Sequence, residues 1–256
     1  MPKPRIAIPV PTSTDLDYNR RSWPVYASAV ERSGGEPVEV PLTDTPAATA
    51  RLIAGCQGIL LPGSGADVNP QKFGQDAIEE CAPADPAREN VDELLLQDAH
   101  NMGKPILTVC FGTQMLNVWR GGSLIQHLPG ILVNHRAGAA VGVAHTADVA
   151  PDSLLGDIAL ADHPPAFNGL LRLPINSSHH QSIDAPGDGL RITARSHEDG
   201  VVEAVEGTPE GVGGSFVVGV QWHPERTYDQ SAASRALFSR FIHEAAAWTP
   251  KAQSTE

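Results

Sequence analysis

The sequence predicts an α/β protein: a mostly parallel central sheet with helices on both faces, plus a smaller antiparallel β addition in the second half. Three observations carry this. Strand-length apolar runs alternate with helix-length segments through the first half. Five strand-like segments and a hairpin signal crowd the second half. The 256 residues show neither an internal repeat nor a long linker, so residues 1–248 form a single domain with a polar tail at 249–256.

The elements follow in order. Arg5–Val10 is a short β-branched run, and the segment from about Ser22 to Ser33 is helical until Gly34-Gly35 stops it. Pro37–Leu42 and Gly58–Leu61 read as strands, the second running into a loop rich in Gly, Pro and Asn. Between Glu89 and Met102, apolar Val91, Leu94, Leu95, Ala99 and Met102 recur at helical spacing, and Gly103 supplies the stop. Pro105–Val109 has the length of a buried strand and Phe111–Arg120 that of a helix closed by Gly121-Gly122. Strands joined by helix-length segments imply parallel βαβ units. Beyond them Val141–Val149, Leu171–Asn176, Leu190–Ser196, Val201–Val205 and Phe216–Trp222 are strand-like, with Glu198-Asp199-Gly200 marking a hairpin. Ser234–Trp248 closes the domain as an amphipathic helix, with Leu237, Phe238, Phe241, Ile242 and Ala245 on one side.

Composition excludes several classes. With 18 Lys+Arg against 30 Asp+Glu, the net charge of −12 and the lack of a basic cluster argue against nucleic-acid or anionic-membrane partners. A 41% hydrophobic content argues against disorder. No apolar stretch approaches the ~18 residues of a membrane helix, and the apolar run near the start is too short and too proline-rich for a signal peptide. Three cysteines, Cys56, Cys81 and Cys110, form no C-x-x-C pair, so a cytoplasmic protein without disulfides is expected.

Three segments carry candidate chemistry. Cys110 stands between a buried strand and a helix, where unpaired N–H groups and the helix dipole favour a thiolate. The other fate of a lone cysteine in such a place is an inert, packed one. In Gly219-Val-Gln-Trp-His223-Pro-Glu225, i and i+2 positions of an extended chain share a side, so Glu225 can orient His223 as the base that a nucleophile needs. A strand-end His and Glu on the surface would read the same. In Leu60-Leu-Pro-Gly63-Ser64-Gly65, the glycines let backbone N–H groups turn toward an anion, or merely make a tight turn. No H-E-x-x-H, Gly-x-Ser-x-Gly or Walker-type lysine is present, and only the adjacent His179-His180 hints at a metal pair.

Taken in order, Leu-Pro-Gly63-Ser64-Gly65, Cys110-Phe-Gly-Thr-Gln114 and Gln221-Trp-His223-Pro-Glu225 resemble the class I glutamine amidotransferase family. Within it the chain is most similar to the gamma-glutamyl-gamma-aminobutyrate hydrolase branch, through Asp85-Pro-Ala-Arg88, Gly121–Gln126, Asn134-His-Arg136, Asn176–Gln181, Ala194-Arg-Ser196 and Asp199–Ala204. The similarity spans nearly the whole chain. It implies a flavodoxin-like sheet, Cys110 as nucleophile, His223 as general base and acid, and Glu225 as the group orienting His223. It further implies an oxyanion hole from the backbone N–H groups of Phe111 and Ser64, where one donor is worth ~100–1000-fold in rate. Gly63, Gly65, Gln114, His179 and Gln181 would adjoin the γ-glutamyl head group, with His180 a weaker candidate.

The activity so implied is hydrolysis of a small γ-glutamyl amide, such as γ-glutamyl-GABA or a γ-glutamyl polyamine, to L-glutamate and an amine through a γ-glutamyl thioester. No metal and no organic cofactor is expected, and a homodimer is the default assembly. Two other readings stand beside it: a glutaminase subunit supplying ammonia to a synthase, and a non-catalytic relative. One position departs from the branch. Many of its members carry Arg directly after the nucleophile, where this chain has Phe111, as in ammonia-producing amidotransferases. That leaves the leaving amine open.

Overall fold

Short apolar strands line up side by side in one direction when helices return the chain each time to the same end. In the computed structural model, which describes residues 2–250, β1 (Arg5–Pro9), β2 (Glu36–Val40), β3 (Gly58–Leu61), β4 (Ile106–Val109) and β12 (Val217–Val220) do so. They lie in the parallel order β2-β1-β3-β4-β12. Every residue of β3, β4 and β12 is buried, as a sheet covered on both faces requires. Of the expected polar tail, residues 251–256 lie outside the described residues.

The antiparallel part continues the same sheet. Beyond β12 come β11 (Val202–Gly207), β10 (Leu190–Ser196), β6 (His145–Val149), β8 (Leu170–Ile175) and the two-residue β7 (Ala166–Phe167). The expected hairpin joins β10 to β11, with Gly200 at φ 74° and a Ser196 N–H bond to Val201 O of 2.8 Å. A separate antiparallel pair, β5 (Leu124–Ile125) with β9 (Ser182–Ile183), sits apart from this sheet.

Strand alternation sorts the helices. Ile6, Ile8, Leu60, Leu107 and Val220 face α1 (Leu16–Arg32), α5 (Leu154–Ala159) and α7 (Ala232–Ala247). Ala7, Ile59, Leu61 and Ile106 face α2 (Pro46–Ala54), α3 (Pro86–Met102) and α4 (Phe111–Trp119). A single turn, α6 (Pro209–Val212), follows β11.

Some boundaries move. α1 begins six residues before the expected Ser22, because the Asp15 carboxylate caps Tyr18 N–H at 2.8 Å and the helix accommodates Pro24 in its interior. α3 starts at Pro86 behind the Asp85 cap rather than at Glu89, and α2 has no counterpart among the expected elements. The strand expected from Val141 pairs only from His145. These shifts leave the carboxyl edge of the parallel strands intact. Leu61 pairs with Thr108 and Val109 with Val220, so the chain leaves β3, β4 and β12 side by side at one edge, the place where open α/β sheets bind ligands.

Candidate active site

Cys110 is the turn between β4 and α4. Its φ of 51° and ψ of −110° place a non-glycine residue in a sparsely populated region, a strain of about 1–3 kcal/mol held by the surrounding bonds. Cys110 N–H donates to Val220 O at 2.9 Å, and Thr113 Oγ1 ties the first turn of α4 to the same carbonyl at 2.8 Å. Gly112 permits the tightness of this corner: a Cβ there would lie 2.4 Å from Leu61 O. Burial pushes the Cys110 thiol up to about 12, while the Arg226 guanidinium and the Phe111 N–H pull it down and are outweighed. Burial thus favours the thiol, against the thiolate that the helix N-terminus favours.

His223 follows β12 and is fixed from three sides. Asn176 clamps its backbone, accepting the His223 N–H at 2.8 Å and donating Nδ2 to the His223 carbonyl at 2.7 Å. Nδ1 lies 2.8 Å from Glu225 Oε1, so that i, i+2 pair does face itself as the sequence suggests. A carboxylate only accepts, which assigns the proton to Nδ1 and the lone pair to Nε2. Burial lowers the His223 pKa from its ordinary value, against the opposing pull of Glu225. Burial thus favours the neutral form of both groups.

Gly63 brings the two together. A Cβ added there would sit 3.0 Å from His223 Cε1, 3.2 Å from Tyr26 Oη and 3.5 Å from Cys110 Cβ. Tyr26, on α1, accepts the Gly63 N–H at 3.1 Å and lies 3.4 Å from His223 Nδ1. Its burial and the nearby Glu225 raise its pKa well above the usual phenol value, so it remains a hydroxyl. Ser64 Oγ accepts the Ala66 N–H at 3.1 Å and shapes the turn, whereas a Cβ at Gly65 would meet open space.

Behind this loop lies a fully buried Arg88. Its guanidinium donates to Pro62 O at 2.6 Å, Pro11 O at 2.8 Å and Asp92 Oδ1 at 2.7 Å, and lies 5.0 Å from the centre of the Phe111 ring. Phe111 is 1% exposed, packed in the helical layer under that guanidinium. Its ring is therefore core. Asp92, despite Arg88, is lifted by burial to about 6.

The remaining expected residues divide. Gln114 Nε2 donates to Gln181 O at 3.1 Å and to Gln221 Oε1 at 3.2 Å, linking α4 to the strand that leads to His223. His179 donates Nδ1 to Gln181 O at 2.9 Å and turns Nε2 toward Glu203, 3.7 Å away. Gln181 donates Nε2 to Gln126 O at 3.1 Å, and His180 Nε2 contacts Asp67 at 2.9 Å. All four side chains hold protein partners. Sequence reasoning did not single out Tyr26 or Arg226; nothing local marks a tyrosine within a helix, and Arg226 carries meaning only through its placement near the thiol. Asn176 was visible only as part of a motif.

The family model described as Peptidase C26 matches residues 12–225. Gamma-glutamyl-gamma-aminobutyrate hydrolase of Escherichia coli O157:H7 is 34% identical over 226 residues, which cover 85% of this chain and 83% of that protein. Protein NtpR of Enterococcus hirae is 31% identical over 224 residues, covering 86% and 87%. Among solved structures, the glutaminase domain of Trypanosoma brucei CTPS with bound acivicin superposes with a TM-score of 0.60 at 15% identity, covering 98% of both chains, a likeness of fold.

Proposed function

The chain belongs to the peptidase C26 family, and from that premise we propose that it is a cysteine-dependent hydrolase of small γ-glutamyl amides, releasing L-glutamate and an amine. The observation that carries this reading is the convergence on Gly63 of Cys110 Cβ and His223 Cε1, with His223 already oriented through Nδ1 by Glu225.

The chemistry proceeds from a neutral pair. As Cys110 Sγ attacks the γ-carbonyl carbon, His223 Nε2 takes the thiol proton, so the thiolate forms only when it is consumed. Negative charge moves to the carbonyl oxygen, which the backbone N–H groups of Phe111 and Ser64 would receive. The developing imidazolium is held by Glu225. Collapse breaks the C–N bond as His223 returns its proton to the departing amine, leaving a γ-glutamyl thioester. Water, deprotonated by His223, attacks that thioester through a second oxyanion, and the sulfur leaves with the proton. No step requires a group that the chain lacks.

Relatives bearing the gamma-glutamyl-gamma-aminobutyrate hydrolase name match over most of the chain and support γ-glutamyl-GABA as substrate, with a γ-glutamyl polyamine the related amide to test beside it. The test is glutamate release from γ-glutamyl-GABA, γ-glutamyl-putrescine and glutamine, with Cys110→Ala as control. Turnover of a γ-glutamyl amine that vanishes in Cys110→Ala is expected. Turnover of glutamine alone, increased by a synthase, would replace this reading with the glutaminase one.

A further inference from the structure

Behind the strand that leads to His223, four polar side chains from separate segments meet in the interior: His135, His145, His179 and Glu203, all buried. Glu203 Oε1 lies 2.9 Å from His145 Nε2, 3.4 Å from His135 Nδ1 and 3.7 Å from His179 Nε2. Among the described residues no Lys or Arg lies within ion-pair distance of this carboxylate. A buried carboxylate of that kind needs a cation.

The proton assignments sharpen the point. His179 Nδ1 faces the Gln181 carbonyl, which only accepts, so Nδ1 carries hydrogen and a neutral ring presents its Nε2 lone pair to Glu203. His135 Nε2 faces Asp199 Oδ2 at 2.9 Å, so a neutral ring there presents its Nδ1 lone pair to Glu203 at 3.4 Å. Ser177 Oγ lies 3.4 Å from that Nδ1 but already donates to the His135 carbonyl at 3.0 Å. His179 Nε2 and Glu203 Oε2 are buried without any hydrogen-bond partner. Two buried ring nitrogens and a buried carboxylate thus point at one another.

We propose that His135 Nδ1, His179 Nε2 and the Glu203 carboxylate bind a divalent transition-metal ion of the zinc class, the fourth position being left for water. Their donor atoms lie within 4.8 Å of one another. Tetrahedral coordination at ~2.0–2.1 Å sets ligand-to-ligand edges of about 3.3 Å; the two edges to Glu203 are 3.4 and 3.7 Å, and the third, within 4.8 Å, would close as the rings turn onto the ion. The outer contacts are those that orient metal-bound imidazoles: one ring donates its second N–H to a carboxylate, the other to a backbone carbonyl, and His145 donates to the ligating carboxylate. Two imidazoles with one carboxylate form a donor set zinc accepts. This ion would brace rather than react. It would pin the segments carrying His135 and His179 to β11, whose Glu203 O accepts the Gln221 N–H two residues before His223. It departs from the expectation of no metal, which rested on spacing in sequence: the ligands are 44 and 24 residues apart along the chain.

The test is to produce the full chain in medium supplemented with Zn²⁺ or Co²⁺, strip loosely held ion with a mild chelator, and measure metal content and the visible Co²⁺ spectrum. About one ion per chain is expected, with the intense bands of a low-coordinate Co²⁺ and no sulfur-to-metal charge-transfer band. His179→Gln and Glu203→Gln should each lower retention at least tenfold, with folding checked by circular dichroism, whereas Cys110→Ala should retain the ion. If either variant does not fold, a strong chelator applied to the wild-type chain at elevated temperature gives a second readout: removal of the ion should lower the thermal midpoint. Three results would overturn the proposal: folded wild-type chain without stoichiometric metal, metal retained in folded His179→Gln, or metal lost in Cys110→Ala.

Discussion

Gly63→Ala adds a single methyl group at the point where thiol, imidazole and phenol meet. That carbon would lie 3.0 Å from His223 Cε1 and 3.2 Å from Tyr26 Oη, against ordinary contacts of about 3.5–4.0 Å between carbons. Something must move by roughly half an ångström. His223 cannot, being held by two bonds from Asn176 and one to Glu225. The loop carrying Ser64 N–H therefore shifts away from the thiol. Since ~1 Å of misplacement costs about 100-fold, the expected loss in kcat/KM for glutamate release is about 10–100-fold, or about 1.4–2.7 kcal/mol of transition-state stabilisation. Overpacking costs about 1–3 kcal/mol of stability, so the variant should fold and show a lowered thermal midpoint. Kinetics on the preferred γ-glutamyl amide, paired with a melting curve, decide it. A Gly63→Ala protein with kcat/KM within twofold of wild type would refute the assignment of this loop to the oxyanion.

Three further outcomes follow from the same geometry. Tyr26→Phe leaves the buried Gly63 N–H without its acceptor, so stability should drop by about 1–3 kcal/mol in urea unfolding, with kcat reduced more than KM is raised; unchanged kcat would make Tyr26 a packing residue only. Arg88→Met abandons Asp92 and the Pro62 carbonyl in the interior and should cost about 3–5 kcal/mol, partly recovered by the double change Arg88→Met/Asp92→Leu; equal stability of the two variants would speak against the pairing argument. The pH dependence has a definite sign. Because His223 is lowered from the ordinary value of about 6.5, its neutral, proton-accepting form persists to lower pH, and the acid limb of kcat/KM should fall below that value. With the thiol at about 12, no alkaline limb from Cys110 should occur up to pH ~10, and alkylation by iodoacetamide should be slow near neutrality. A bell centred on a low-pKa thiolate would contradict the neutral resting pair.

The parts of this molecule that were legible in sequence are those where a local residue pattern and its spatial consequence coincide. Strands β3 and β4 announce themselves as short apolar runs, one running into Pro62-Gly63 and the other into Cys110, and their common edge follows from the βαβ rule. His223 and Glu225 sit two residues apart, so their contact needed no knowledge of the fold. Cys110 was legible as a corner residue, but its thiol state was not: the helix terminus is local, whereas the burial that outweighs it comes from elements distant in sequence. Tyr26 was hidden for the same reason, its partner Gly63 lying 37 positions away. The segment Pro46–Ala54 has too many small residues for a clear apolar stripe and escaped notice as α2. Phe111 shows the converse, a position read for its charge chemistry that the fold uses as core.

β12 is the strand at which the sheet changes sense, parallel to β4 and antiparallel to β11. As a result, the thiol corner and the Gly63 loop belong to the first half of the chain, while the imidazole, its carboxylate and its Asn176 clamp belong to the second. The exposed turn at Ala139 and Ala140 lies between the two sets. A chain divided there would yield two inert pieces, each with half of the proposed machinery. Hydrolysis would then report, without any added label, that β12 had docked against β4.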